Sequence, residues 1–149
     1  MAAETHIFNN AQKHLDADVD WASDTIKVTL HTSTFVPSVS ADEFFSDVTN
    51  ELGTANGYTA GGATLGSKSV TVTGTATQYR AAATTWTAGS GETLTARYAV
   101  VRKDTGTAST SPVLAYVLLD NSPADVSATN ADFTITWHAT DGVFKVTAS

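Results

Sequence analysis

Apolar and polar residues alternate along most of this chain, which is the pattern of half-buried β-strands. Residues 25–32 alternate most clearly, with Ile26, Val28 and Leu30 on one face. Further strands are predicted at residues 70–73, 79–86, 94–100, 133–137 and 143–146. Residues 113–119 are apolar on both faces, as in a central strand covered from both sides. The pattern predicts a mainly β fold, a single antiparallel β-sandwich or jelly-roll-like domain.

One segment departs from this alternation and is predicted as a short helix over residues 41–52. Phe44, Val48 and Leu52 recur at a spacing of four, which places them on one helical stripe. Ser40 and Glu43 have the spacing of a capping box, and a glycine follows at the expected end of the helix. This is the helix that the sequence supports best.

The first twenty residues are predicted to form an N-terminal arm, with the sandwich domain spanning residues 21–149. A short helix over residues 5–15 would align three apolar side chains, but it is poorly capped and too short to be stable alone. We therefore expect the arm to order by docking on a neighbouring chain. The expected interface residues are Ile7, Phe8, Ala11 and Leu15.

Composition narrows the function classes. Only 15% of the 149 residues are charged, against a usual share of about 25%. No apolar run approaches the roughly 20 residues of a membrane-spanning helix, and the first residues lack the pattern of a secretory signal. The formal net charge is −7, so a binder of nucleic acid is not expected. Threonine is the most frequent residue, which favours sheets because Thr is β-branched.

Two segments resemble ligand-binding motifs without completing them. Residues 16–24 carry Asp at alternate positions, but Trp21 and Lys27 stand where a calcium loop of the EF-hand type needs Gly and Glu. A solvated acidic turn is the favoured interpretation, and a looser calcium site remains the alternative. Residues 61–69 approach a phosphate-binding loop, but an extra serine precedes Lys68 and a strand follows instead of a helix. These glycines more simply allow a turn or a close approach of the backbone.

No constellation of catalytic residues is apparent. The chain has no cysteine and no G-x-S-x-G motif. The histidines share no zinc-ligand spacing, and His31 is expected on the polar face of its strand; the four are His6, His14, His31 and His138. We therefore expect a protein that is not an enzyme and needs no cofactor.

The aromatic residues leave two interpretations open. Core packing is the favoured role for aromatic residues on alternating strands. A sugar-stacking platform is the alternative, and it would draw on Trp21, Trp86, Trp137, Tyr58, Tyr79, Tyr98 and Tyr116.

Several segments resemble a widespread family of small structural proteins of tailed phages and prophages. The similarity is most distinctive from Glu43 to Leu65, which contains Glu43-Phe44-Phe45-Ser46-Asp47 and Gly57-Tyr58-Thr59-Ala60-Gly61-Gly62. Residues 102–117 and 133–137 fit the same family, and the resemblance covers about residues 21–147.

The resemblance implies a component of the virion, with a head decoration (cement) protein as the first expectation. Such a protein would bind the major capsid protein, form a homo-oligomer such as a dimer or trimer, and contact neither nucleic acid nor membrane. It would be made in the cytoplasm of the bacterial host and lie on the outer capsid surface. The alternative is a module associated with the tail or a fibre, including one that binds glycans. The resemblance brings no catalytic residues.

Overall fold

The structure is a computed structural model that describes residues 3–122 and 124–148. It is mainly β, which confirms the predicted fold class, and all pairs between its strands are antiparallel. The strands are β1 (Glu4–Ile7), β2 (Ile26–His31), β3 (Ala63–Thr64), β4 (Ser69–Thr73), β5 (Ala76–Arg80), β6 (Thr84–Thr87), β7 (Thr93–Ala96), β8 (Tyr98–Lys103), β9 (Val113–Leu118), β10 (Val126–Thr129), β11 (Asp132–Ile135) and β12 (Phe144–Thr147). The helix α1 spans Ala11–Ala17, and single 3₁₀ turns lie at Phe45–Asp47 and Ala108–Thr110.

The largest sheet has five strands in the order β1-β9-β8-β2-β3. Ile26, Val28 and Leu30 on β2 are fully buried, as their alternation predicts. The apolar strand β9 lies between β1 and β8, which confirms its predicted central position.

Three smaller sheets complete the sandwich-like domain, with the orders β12-β5-β4, β10-β7 and β11-β6. Their inward residues join those of the five-stranded sheet in a single hydrophobic cluster. Part of this cluster is aromatic. Trp21 packs edge-on against Phe144 and Tyr79, with ring centroids 5.4 and 5.6 Å away.

The predicted helix over residues 41–52 is wrong. Apart from the 3₁₀ turn, the segment runs without regular helix and hydrogen-bonds to neighbouring segments. The amide of Phe45 donates to the carbonyl of Ser111, and that of Leu52 donates to the carbonyl of Leu30. Long-range backbone pairing therefore takes the place of helical pairing, and Phe45, Val48 and Leu52 still pack against the core.

The N-terminal segment is an integral part of the same domain, which corrects the expectation of a separate arm over residues 1–20. Residues 4–7 form β1 and pair with β9, whereas the predicted helix over 5–15 is replaced by α1, which begins at Ala11. The amide of Phe8 donates to the carbonyl of Leu114, and its side chain is 1% exposed. The core of the domain is thus closed with help from these first residues.

Candidate functional site

The four residues expected at an interface lie against the chain's own core. Phe8 and Ala11 are fully buried, while Ile7 and Leu15 are partly buried against the same cluster. The ring of Phe8 contacts that of Tyr116, with centroids 5.6 Å apart. Phe8 and Ala11 therefore have their contacts within the chain, and a contact of Ile7 or Leu15 with a partner stays a prediction.

The acidic stretch of residues 16–24 is held by internal hydrogen bonds. Asp20 Oδ1 accepts from the amides of Ala22 and Ser23, and Asp24 Oδ2 pairs with Lys103 Nζ at 2.9 Å. Within the described residues, no group of three or more His, Asp or Glu side chains is arranged to hold a metal ion. The geometry agrees with an acidic turn.

The glycine-rich loop brings its backbone against β2. Gly62 has φ +80°, and a Cβ at this position would lie 2.1 Å from the carbonyl oxygen of Val28. This confirms the interpretation of close backbone approach. The strand β4 follows the loop, so the helix that a phosphate-binding loop needs is replaced by a strand.

A buried ionic cluster lies beneath this loop. The Arg102 side chain is 5% exposed; its guanidinium donates to Asp104 Oδ1 at 2.8 Å and to the carbonyl of Gly61 at 3.2 Å. It also lies 4.1 Å from the centre of the Phe45 ring. Lys27 Nζ contacts the other oxygen of Asp104 at 2.8 Å, and these two cations hold the pKa of the Asp104 carboxyl well below its usual range. The cluster ties the segment over residues 45–61 to the sheet.

A second polar cluster, around Tyr58, also joins this segment to the sheet. The hydroxyl of Tyr58 donates to Glu51 Oε1 at 2.6 Å and accepts from the amide of Leu30. The same carboxylate oxygen accepts from the amide of Gly61. Burial and the adjacent Glu51 carboxylate raise the pKa of Tyr58, so its hydroxyl stays protonated at neutral pH.

His31 is fully buried, which corrects its expected place on an exposed polar face. The face of β2 that carries it is covered by the segment containing Thr49 and Glu51. Its Nε2 lies 2.8 Å from Thr29 Oγ1, and its Nδ1 lies 2.9 Å from the carbonyl oxygen of Thr49. Burial lowers the pKa of His31 despite the opposing effects of Thr49 and Glu51. The neutral imidazole therefore serves as a packed hydrogen-bonding group.

His14 joins α1 to the covering segment. Its Nδ1 lies 3.0 Å from Asp18 Oδ2 and its Nε2 lies 3.0 Å from Glu43 Oε1, which also contacts Lys13 Nζ. These polar clusters fix the position of the covering segment relative to the sheet. Apart from Nε of Arg102, which has no hydrogen-bond partner among the described residues, the polar atoms discussed here bond to one another and to backbone groups.

The aromatic residues mainly pack in the core, as the favoured interpretation predicts. Trp21, Trp86 and Tyr58 are 2%, 7% and 1% exposed, so they cannot present a ring face to a sugar in this conformation. Tyr98 and Tyr116 are partly exposed and meet edge to face, with ring centroids 6.1 Å apart.

An open groove of about 400 Å³ lies where β1 faces β12. Its walls include Glu4, His138, Asp141 and Lys145. Lys145 Nζ pairs with Asp141 Oδ1 at 2.9 Å, and the ring nitrogen Nδ1 of His138 accepts from the backbone of the following turn. Glu4 Oε1 lies 3.1 Å from His6 Nε2, so each of these four side chains already has a polar partner within the chain.

The exposed apolar side chains stand out against this polar surface. Four large hydrophobic side chains are exposed among the described residues: Val36 (81%), Val39 (37%), Val70 (45%) and Val72 (72%). They form two pairs, one in the loop over residues 32–42 and one on β4. The alternation of Thr and Val predicts a strand that contains Val70 and Val72, but the sequence does not show that their face remains uncovered.

Val36 and Val39 lie on a loop that is fixed by a buried side chain and by hydrogen bonds. Phe35 is 2% exposed and anchors the loop in the core beside His31. Asp42 Oδ2 accepts from the amide of Ser38, and the carbonyl of Val39 accepts from the amide of Asn9. The loop thus presents Val36 to solvent in a fixed conformation.

Within the described part of the chain, no helix is long and apolar enough to span a bilayer. Comparison with protein-family models, curated proteins and solved structures finds no match to this chain.

Proposed function

We propose that this chain is a structural protein of a tailed-phage virion, a decoration protein that binds the major capsid protein on the outer surface of the head. It acts by contact rather than by catalysis, and it reinforces the shell by bridging capsid subunits. The resemblance of residues 43–65 to small phage structural proteins suggests the class of particle. The loop over residues 32–42 is the structural feature that best supports attachment.

This loop combines exposure with order. A loop whose backbone is already fixed before binding loses little conformational entropy when a partner covers it. Val36 is 81% exposed, while Phe35 beside it is buried and holds the backbone in place. A partner that covers an apolar side chain on an ordered backbone therefore gains buried apolar area at a small entropic cost.

The charge of the chain favours the outer surface of the capsid. The net charge of −7 would be repelled by packaged DNA at the inner wall of a shell. A position on the outer surface of the capsid avoids this repulsion.

Rebinding to capsids tests the proposal. Purified particles that lack the protein are mixed with the wild-type chain, with Val36→Asp, or with the control Thr129→Ser, which removes a methyl group from a distant exposed site. We expect Val36→Asp to weaken cosedimentation about tenfold or more while its melting temperature stays close to that of the wild type. Equal binding by all three chains would exclude the loop, and no binding by the wild-type chain would contradict the capsid role.

A further inference from the structure

The strand β4 is an open edge of its sheet. Among the residues that the structure describes, β5 is its one strand partner, and all residues of β4 from Ser69 to Thr73 are exposed. Natural proteins usually protect such edges with a charged residue or a proline, because free strand edges pair with other chains. The sequence of β4 is Ser-Val-Thr-Val-Thr, which contains neither.

The hairpin geometry determines which backbone groups face outward. Thr73 pairs with Ala76 across a two-residue turn, where Gly74 has φ +61° as the first central position of a type II′ turn requires. The pair that closes such a turn is hydrogen-bonded, and the bonded positions then alternate along the strand. Ser69, Thr71 and Thr73 therefore bond to β5, while the N–H and C=O groups of Val70 and Val72 point away from it.

We propose that β4 is a self-association edge, at which a second copy of this chain adds its own β4 antiparallel about a two-fold axis at Thr71. In this register Val70 lies opposite Val72 of the second copy, and each of these two pairs exchanges two backbone hydrogen bonds. The three-stranded sheets of the two copies then form one sheet of six strands. This inference is independent of the capsid role.

The chemistry of the strand favours a second copy as the occupant. Most contacts between two copies of a chain with net charge −7 would bring acidic groups together, but β4 carries no charge. In the proposed register Lys68 lies opposite Gly74 of the second copy, so like charges do not meet at the ends of the ladder. Arg80 lies beside the strand: its Nε donates to Thr71 Oγ1, and its other guanidinium nitrogens donate to the carbonyls of Ala139 and Thr140.

The side chains also match across the axis. Val70 and Val72 lie on one face and extend the apolar surface of Tyr79, with which Val70 is paired on β5. Pairing β4 with itself would place valine beside valine on this face, and Thr71 beside Thr71 with Ser69 beside Thr73 on the other. Such β-branched pairs stabilise antiparallel sheets. A two-fold contact of this kind uses both free edges and closes as a dimer.

Sedimentation of the full chain over a wide range of concentration is the first test. A five-residue ladder is smaller than a standard interface, so we expect a reversible dimer that forms in the micromolar range. Val72→Pro removes an N–H that points outward and leaves the bonds to β5, a position where sheets tolerate proline. We expect it to weaken dimerisation about tenfold or more, because each of the two symmetry-related copies loses one backbone hydrogen bond across the interface.

A second variant distinguishes a loss of dimerisation from a loss of folding. Val72→Lys keeps the backbone intact and places one charge on each side of the two-fold axis. We expect the same weakening of dimerisation with an unchanged circular dichroism spectrum. A wild-type chain that stays monomeric throughout, or a dimer that both variants leave unchanged, would overturn the proposal.

Cysteine cross-linking tests the register, since the chain has no cysteine of its own. Thr71 lies on the proposed axis in a pair without hydrogen bonds, where opposing Cα atoms are about 4.5 Å apart and a disulfide fits. Thr71→Cys should form a covalent dimer on mild oxidation. Ser69→Cys, which is also exposed and lies on the same face, should not, because its counterpart lies four residues further along the ladder. Efficient cross-linking of Ser69→Cys with none of Thr71→Cys would overturn the register.

Discussion

At the scale of single residues, the fold depends on a few polar groups buried between the five-stranded sheet and the segment that covers it. Arg102 connects Asp104, the carbonyl of Gly61 and the ring of Phe45. Removing one member of such a group leaves the others buried without partners, which is more costly than losing an exposed ion pair. Among the described side chains, Nε of Arg102 is the buried polar atom that lacks a partner, so the cluster has little tolerance for further loss.

Replacement of Asp104 should reveal this dependence through pH. Lys27 and then Arg102 lower the pKa of Asp104 below its usual value of about 3.9, so its stabilising effect is fully present above that value and is lost as the pH falls towards the folded pKa. We expect Asp104→Asn to have a lower free energy of unfolding at neutral pH. The difference from the wild type should shrink in acid below about pH 4. Urea unfolding at several pH values measures it, and a difference that does not change with pH would contradict the ionic origin.

Gly62 should be irreplaceable for a steric reason. A Cβ at this position would collide with the carbonyl of Val28, and its positive φ adds backbone strain of about 1–3 kcal/mol. Gly61 also has a positive φ, but a Cβ there would meet nothing within 4 Å. We therefore expect Gly62→Ala to lower the melting temperature clearly more than Gly61→Ala. Similar melting temperatures for the two variants would show that the close approach to β2 is unimportant.

At the scale of elements, the N-terminal strand and helix stabilise the domain from within. Strand β1 pairs with β9 over four residues, and Phe8 follows it into the core. An edge strand that is backed by a buried aromatic residue belongs to the cooperative unit of the fold. Loss of this segment should therefore destabilise the domain itself.

The variant Phe8→Ala tests this directly. Truncation of a fully buried Phe costs about 3–5 kcal/mol because it removes apolar contacts and leaves a cavity. Phe44 is only partly buried, so Phe44→Ala serves as a comparison with the same chemical change and a smaller expected loss. Chemical denaturation measures both. If Phe8→Ala were no more destabilising than Phe44→Ala, the first residues would be an appendage after all.

The sequence predicts several strands well because their alternation is a local property. The predictions over residues 79–86 and 94–100 are wrong in extent, because each segment is divided between two strands of different sheets. Ile26, Val28 and Leu30 face the core as expected, and β9 is central. The spacing of Phe44, Val48 and Leu52 misled the prediction because it also occurs in an irregular segment. In that segment Phe45, Val48 and Leu52 are partly buried and pack against the core. Its backbone partners come from β2 and from the region of Ser111, and such long-range pairing has no local signal.

The same reason explains the residues whose environment the sequence did not indicate. His31 alternates with apolar neighbours, so only the covering segment decides that both faces of β2 are buried. The close approach at Gly62 was anticipated, since a glycine pair in a loop is typical of such contacts. The exposure of Val36 and Val72 depends on what the rest of the chain leaves uncovered, and alternation alone does not show it.

At the scale of the whole molecule, a mainly β domain whose hydrophobic core includes buried polar clusters presents two separate apolar features to its surroundings. The loop with Val36 is proposed to contact the capsid, and β4 is proposed to pair with a second copy. Two distinct contacts on one small protein would allow it to link neighbouring positions on a shell. Such linked contacts strengthen one another even where each is weak.

A cryo-electron microscopy map of purified particles tests the central claim most directly. Particles that carry the wild-type chain should show added density on the outer surface of the head, at repeated positions over capsid subunits and with the size of a 15.5 kDa domain. Particles assembled without the chain should lack this density. Density confined to the tail, or a head surface that is the same with and without the chain, would contradict the proposal that this is a capsid decoration protein.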